Sequence, residues 1–414
     1  MVTQKSASLL LLALVALTAS PGRAQPTAVQ RVKGSHWVGA WAASAEAIDT
    51  TTMPPTPPGL ADTTLRQIVH VSIGGKQLRV RFSNAFAGYG NDLKIHAAHV
   101  AVSAGGHAIK PGTDKPLTFH GQPSVSIPPG ALMVSDPVDF ELAPLSDLAV
   151  TIHVHGSERN ITGHRSARGE VVYLQAGNAV SAADLPKAVA AKSWYFLSGV
   201  DVLAPESAAA VVCLGDSITD GRGSTEGANR RWPDDLARRL QANPESAPIG
   251  VLNEGIGGNA LWRGGLGQTA LVRLERDVLT QPGIRWLIVL EGINDLGGGQ
   301  TSAEEVIAVY EQIILRAHDR DLLVYGGTIL PCGGSGYFKP ELEAKRQKIN
   351  HWIKTSGAFD AVIDFDAVTH DPQDPTRELK AADSGDHLHP SDEGYKIMAE
   401  AVDLKLFRKR KPGQ

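Results

Sequence analysis

The sequence predicts two architectures in succession: an all-β sandwich over residues 36–200, then an α/β three-layer fold on a parallel five-stranded sheet over 207–408. Three observations lead there. At 414 residues the chain exceeds one ordinary core. From about His36 to Gly199 apolar and polar residues alternate in short bursts, the period of half-buried strands. Beyond a connector placed around Leu203-Ala204-Pro205-Glu206, apolar runs are separated by amphipathic stretches.

In the first half the strands are read at QIVHVSI from Gln67, QLRVRFSN from Gln77, LKIHAAHVAV from Leu93 and DLAVTIHVHG from Asp147. Turn clusters such as Pro54-Pro55-Thr56-Pro57-Pro58-Gly59 and Ser126-Ile127-Pro128-Pro129-Gly130 divide them, and no segment has a helical period. The Pro-rich piece near Pro54 reads as a surface loop. Trp37, Trp41 and Tyr89 fit either a sandwich core or stacking on sugar rings.

In the second half the strands are Val211–Gly215, Ile249–Asn253, Trp286–Leu290, Leu322–Tyr325 and Ala361–Phe365. Between and after them, helices are expected from Trp232, Ser302, Pro340 and Pro390. Ser302 with Glu305 forms a capping-box pattern, and Pro340 and Pro390 are assigned to first turns. Strands alternating with helices imply a parallel sheet covered on both faces.

Composition narrows the function. A formal net charge of −4 without a basic cluster excludes a phosphate-reading surface, so no nucleic acid partner is expected. Residues 1–24 combine Lys5, an apolar stretch from Leu9 to Leu17, and small residues at Gly22 and Ala24. That pattern predicts a signal peptide cut near Ala24 and an exported protein, periplasmic or extracellular; the apolar stretch is too short to span a bilayer, and no later segment spans one. Cys213 and Cys332, each in or just after an apolar run, read as buried free thiols, and a doubly wound strand order would put them on non-neighbouring strands. No zinc-ligand spacing is present, so neither metal nor cofactor is expected.

Four segments carry chemistry. Gly215-Asp216-Ser217-Ile218-Thr219 places Ser217 at the carboxyl end of a buried strand, where open α/β sheets bind ligands; turn hydrogen bonding by Asp216 and Ser217 fits the string alone equally well. Asn253-Glu254-Gly255-Ile256-Gly257-Gly258-Asn259 supplies glycines that let backbone N–H groups approach an oxygen. Glu291-Gly292-Ile293-Asn294-Asp295 offers the Asn294 amide to a developing oxyanion. In Asp386-His387-Leu388-His389-Pro390 a loop of three residues can fold back so that Asp386 accepts from one nitrogen of His389 while the other faces a nucleophile, although a helix cap and a surface charge would also give this string. His387 has Ser384 at the same offset and reads as a neighbour.

In kind and order these segments resemble the four blocks of the SGNH hydrolases, the GDSL lipase and esterase family. The resemblance covers the second half and implies a flavodoxin-like fold there. It implies Ser217 as nucleophile, His389 as base and Asp386 as the residue orienting it. The oxyanion donors would be the Ser217 N–H, Gly258 (Gly257 in reserve) and Asn294. HWVGAWAAS and RVRFSNAFAGYG resemble the accessory β domain of secreted two-domain members. The polar loop Arg222–Arg231, whose Arg230 and Arg231 read as a solvated helix start, and the lack of an amphipathic lid disfavour long acyl chains, each buried methylene being worth about 0.8 kcal/mol. The expected activity is hydrolysis of short-chain, acetyl-type esters of a small molecule or carbohydrate through an acyl-enzyme. The alternatives are a lysophospholipase or lipase and a non-catalytic carbohydrate-binding protein.

Overall fold

The computed structural model describes residues 34–156, 160–166, 172–246 and 248–408. The expected signal peptide lies outside the described residues. Among them, no helix is long and apolar enough to cross a membrane.

The first half consists of antiparallel strands, as their period-two patterning dictates. The main ones are β1 (Ser35–Ala42), β2 (Thr63–Val71), β3 (Gly75–Ser83), β4 (Leu93–Gly105), β5 (Val138–Leu142), β6 (Ser146–His155), β7 (Val172–Ala176) and β8 (Leu197–Pro205). One sheet runs β1-β8-β3-β5, the other has β7-β2-β6-β4 at its centre. Leu78, Val80 and Phe82 of the first sheet share one apolar core with Leu65, Val69, Leu148, Val150 and Ile152 of the second. The connector lies later than the sequence suggested. Leu203, Ala204 and Pro205 complete β8, because they pair with Trp37, His36 and Ser35 of β1.

The second half is a parallel sheet of β9 (Ala209–Gly215), β10 (Ile249–Gly255), β11 (Ile284–Leu290), β12 (Leu323–Gly327) and β13 (Ala361–Ile363), in the order β10-β9-β11-β12-β13. Along β9, Ala210, Val212 and Leu214 enter the core shared with the sandwich, while Ala209, Val211 and Cys213 enter a second core. Burial on both faces is why the strand reads as an unbroken apolar run. The elements around the sheet include α1 (Ser217–Asp220), α2 (Trp232–Ala242), α3 (Ala270–Leu274), α4 (Ile293–Gly297), α5 (Ala303–His318), α6 (Pro340–Thr355) and α7 (Asp392–Ala401).

Ser302 caps α5 in the expected box, and Pro340 opens α6. Pro390 does not open α7. It precedes the N-cap Ser391, whose hydroxyl accepts from the Gly394 N–H. Arg231 is no solvated helix start either: it is buried and binds Asp234 at 2.7 Å. Cys213 and Cys332 are free and buried.

The two halves meet where β1 crosses β10. A Cβ on Gly250 would lie 2.2 Å from the Gly39 carbonyl oxygen, so only glycine lets the strands approach this closely. The Gly39 N–H donates to Pro282 at 3.0 Å, and the Val251 N–H to the Ser72 hydroxyl at 2.9 Å. Sheet edge and sandwich thus satisfy each other's backbone groups.

Candidate active site

β9 ends in a tight turn into α1. A Cβ on Gly215 would lie 2.0 Å from Thr219 Oγ1, so glycine is required for α1 to fold back on the strand end. Asp216 caps α1 by accepting from the Ile218 N–H at 2.9 Å, and Gly221, with φ +103°, terminates it. Ser217, the first helical residue, therefore stands at the carboxyl edge of the sheet.

Ser217 and His389, 7% and 5% exposed, meet there with Oγ 2.8 Å from Nε2. His389 Nδ1 lies 2.7 Å from Asp386 Oδ2. The other carboxylate oxygen of Asp386 accepts the backbone N–H groups of Leu388 and His389, at 3.0 and 2.9 Å, and so closes the loop on itself. Partial burial raises the Asp386 pKa, but these hydrogen bonds and the His389 charge outweigh it and hold the carboxyl below its ordinary value. An ionised Asp386 selects the tautomer with a proton on Nδ1, leaving Nε2 to accept from the Ser217 hydroxyl.

Gly258, with φ +75°, and Asn294 face the same cavity, as does Gly257. Asn294 Nδ2 donates to the Asn259 carbonyl at 2.7 Å, and its Oδ1 accepts from the Tyr337 hydroxyl at 3.1 Å. Those two contacts fix which way the amide points. Tyr337 reaches it because Gly297 leaves room: a Cβ there would lie 2.5 Å from the ring.

The cavity, about 500 Å³, is walled in part by the sandwich half, through Asp49, Thr51, Thr52, Arg165 and Ser166. Leu266 and Leu388 are its aliphatic members. None of the wall residues from the sandwich half, nor Tyr337, was singled out from the sequence, because none lies in a motif. Of the Arg222–Arg231 loop only Arg222 lines the cavity. Trp41 is buried on Trp194, with ring centroids 4.9 Å apart, and Trp37 lies under Arg79; Tyr89 is fully exposed, and none of the three lines this cavity. His387 has a carboxylate partner after all, Asp383 at 2.5 Å, four residues back rather than three.

Behind Ser217 lies a buried charge cluster. His164, from the sandwich half, binds Asp220 of α1 at 3.0 Å and the Ser44 carbonyl at 2.9 Å. Burial disfavours its charge, yet the Asp220 hydrogen bond, with the Asp220 and Glu46 carboxylates, pushes the imidazole up to about 9. Burial, reinforced by Asp295 and Asp220, pushes the Asp216 carboxyl up to about 7; burial and Asp277 push Glu254 up to about 8. Glu291 is buried against Asp216 and lies well above its ordinary value. Arg273, fully buried, reaches Asp277 at 3.2 Å and Glu291 at 3.5 Å. One guanidinium cannot balance so many carboxylates, and protons remain on some of them.

The sequence profile of the GDSL-like lipase/acylhydrolase family matches residues 213–397, from the strand before Ser217 to the helix after His389. These residues form a GDSL-like lipase/acylhydrolase domain. The protein is a carboxylic ester hydrolase. Its chain is similar to a solved G-D-S-L family lipolytic protein from Veillonella parvula, at 20% identity over 48% of this chain and 98% of that one, with a TM-score of 0.36. It is similar too to a GDSL-like lipase from Bacteroides thetaiotaomicron, at 18% identity over 46% and 84% with a TM-score of 0.36. An acetyl xylan esterase from Geobacillus stearothermophilus aligns at 22% identity over 47% and 94%, with a TM-score of 0.38. No curated protein matches the chain.

Kinetics and stability each give a test. Asn294→Ala lowers kcat about 10²–10³-fold, the effect of losing one oxyanion donor, while Tyr337→Phe, which removes one neutral hydrogen bond to that amide, lowers it about tenfold; steady-state kinetics on a chromogenic acetate ester read both. Stability depends on pH with a definite sign. His164, Asp216 and Glu254 all hold protons more tightly folded than unfolded. Each stabilises fully only below its unfolded value, so the melting temperature falls as pH rises from about 5 to 9. Glu254→Gln flattens that slope, and a melting temperature that rises across the range contradicts the assignment.

Proposed function

We propose that this protein is an exported serine esterase that removes short acyl groups, acetyl above all, from a carbohydrate or glycoside. The observation that carries the substrate reading is the cavity wall: Asp49, Thr51, Thr52, Arg165, Ser166, Arg222 and Ser335 offer hydrogen bonds to a polyhydroxylated alcohol, against two aliphatic side chains, Leu266 and Leu388. A long acyl chain would find little apolar surface to compensate its burial. Export rests on the pattern of residues 1–24.

In this reading the Ser217 hydroxyl passes its proton to His389 Nε2 as Oγ bonds to the ester carbonyl carbon. The carbonyl oxygen, now negative, takes hydrogen bonds from the Ser217 N–H, the Gly258 N–H and Asn294 Nδ2. The bond to the alcohol then breaks, and His389 returns the proton to the departing alkoxide. Water enters, loses a proton to His389 and attacks the acyl-enzyme; the acid leaves and Ser217 regains its proton. Asp386 stays ionised throughout and stabilises the His389 imidazolium.

A p-nitrophenyl ester series and acetylated xylo-, gluco- and chito-oligosaccharides test the proposal on purified protein. The expected result is a kcat/KM that falls at least tenfold from acetate to octanoate, release of acetate from at least one oligosaccharide, and loss of both activities in Ser217→Ala. Rates that climb steadily to palmitate assign the lipase reading instead. Hydrolysis unchanged in Ser217→Ala refutes the mechanism.

A further inference from the structure

A second cluster of reactive side chains sits in the sandwich half, among residues that the esterase reading leaves unused. β6 ends in His153-Val154-His155, and the two-residue repeat of a strand sends both imidazoles to one face. Asp62 immediately precedes β2, whose Thr63 pairs with Val154. Both histidines converge on one oxygen of this carboxylate, His153 Nε2 at 2.7 Å and His155 Nε2 at 3.1 Å from Asp62 Oδ1. One donor atom each from Asp62, His153 and His155 lies within 4.8 Å of the others.

A third imidazole comes from β4. The register against β6 slips here, Ala97 facing His153 and Ile95 facing Val154, so that His96 is the extra residue of a bulge. Bulges re-aim the side chain they insert. The His96 ring centroid lies 4.4 Å from that of His155 and 5.8 Å from that of His153. Three imidazoles and a carboxylate therefore crowd one strand end. His153 is only 6% exposed, and its Nδ1 has no hydrogen-bond partner. Sheet packing alone accounts poorly for three imidazoles gathered at one carboxylate, one of them buried.

We propose that Asp62, His153 and His155 bind a divalent transition-metal cation of the zinc class, with His96 or water in the fourth position. Neutral imidazole and carboxylate are the donors zinc takes, at about 2.0–2.2 Å, which places tetrahedral ligand atoms about 3.3 Å apart. The two separations from Asp62 Oδ1, 2.7 and 3.1 Å, reach that value by small outward shifts, and the exposed Asp62 and His155 side chains are free to make the adjustment. The cation would replace the hydrogen bonds that now join β2 to β6. Asp62 also closes the segment that begins at Ile48 and contributes Asp49, Thr51 and Thr52 to the catalytic cavity, so the metal would brace the base of one cavity wall. Its role is structural. No sequence motif announces it, because Asp62, the pair on β6 and His96 on β4 are far apart in the chain and form no spaced Cys/His pattern.

Untagged protein, stripped with chelator and titrated with zinc chloride in a calorimeter, tests the site. The expected result is one equivalent bound per chain, tetrahedral visible absorption when cobalt(II) is used instead, and a melting temperature raised by zinc. His155→Ala and Asp62→Ala, both at exposed positions, keep the wild-type circular dichroism and weaken zinc binding at least tenfold, while His387→Ala leaves it unchanged. No saturable binding at 100-fold molar excess of zinc overturns the proposal, as does undiminished binding in His155→Ala and Asp62→Ala. Neither result bears on the esterase assignment, which Ser217→Ala tests separately.

Discussion

Much of this structure hangs on one buried guanidinium. Arg273 of α3 donates to the carbonyl of Gly215 at 3.0 Å, where β9 turns toward Ser217, and to the carbonyl of Glu254 at 2.7 Å, at the end of β10. It also holds Asn259 Oδ1 at 3.0 Å, next to Gly258, and the Ser44 hydroxyl of the sandwich half at 2.8 Å. The strand end that carries the proposed nucleophile, the loop that carries a proposed oxyanion donor and the neighbouring half of the molecule are thus tied to a single planar fork. Breaking a buried charge network of this kind costs about 3–5 kcal/mol. An exposed pair such as Lys192 with Glu226 contributes at most about 1 kcal/mol. The buried hub, not the surface ion pairs, sets the geometry.

The hub also explains why the sandwich is more than an appendage. Its strands share an apolar core with one face of the parallel sheet. His164 reaches across to grip Asp220, on the same short helix as Ser217. Arg165, the next residue, binds Glu46 at 2.9 Å and lines the cavity. The charges that steady α1 from behind and the side chains that wall the cavity in front come from adjacent positions of one strand end, so a change in the sandwich would be felt at both.

What the sequence made legible follows from the range of the interactions. The parallel strands stand out because the inner ones are buried on two faces, and Ser217 follows the one that is buried at every position. The Asp386–His389 contact spans three residues and is decided by one loop, so spacing alone could suggest it. Asn294 was found, but Tyr337, which orients it, lies 43 residues away in a loop without a motif. Thr51, Thr52 and Arg165 reach the cavity only through the packing of the two halves. Leu203 to Pro205 read as a connector because the patterning changes there, whereas pairing with β1 extends the strand to Pro205. Arg231 read as a solvated charge until Asp234, three residues on, proved to be buried with it.

The proposed chemistry requires Ser217 to be the one hydroxyl that His389 activates. Intact-mass measurement and peptide mapping after treatment with diisopropyl fluorophosphate read this directly, since the reagent phosphorylates a serine only where a base and oxyanion donors serve it. One adduct, on the peptide containing Ser217 and lost in His389→Ala, is the expected outcome. An adduct on another residue, or labelling of Ser217 that is undiminished in His389→Ala, would contradict it.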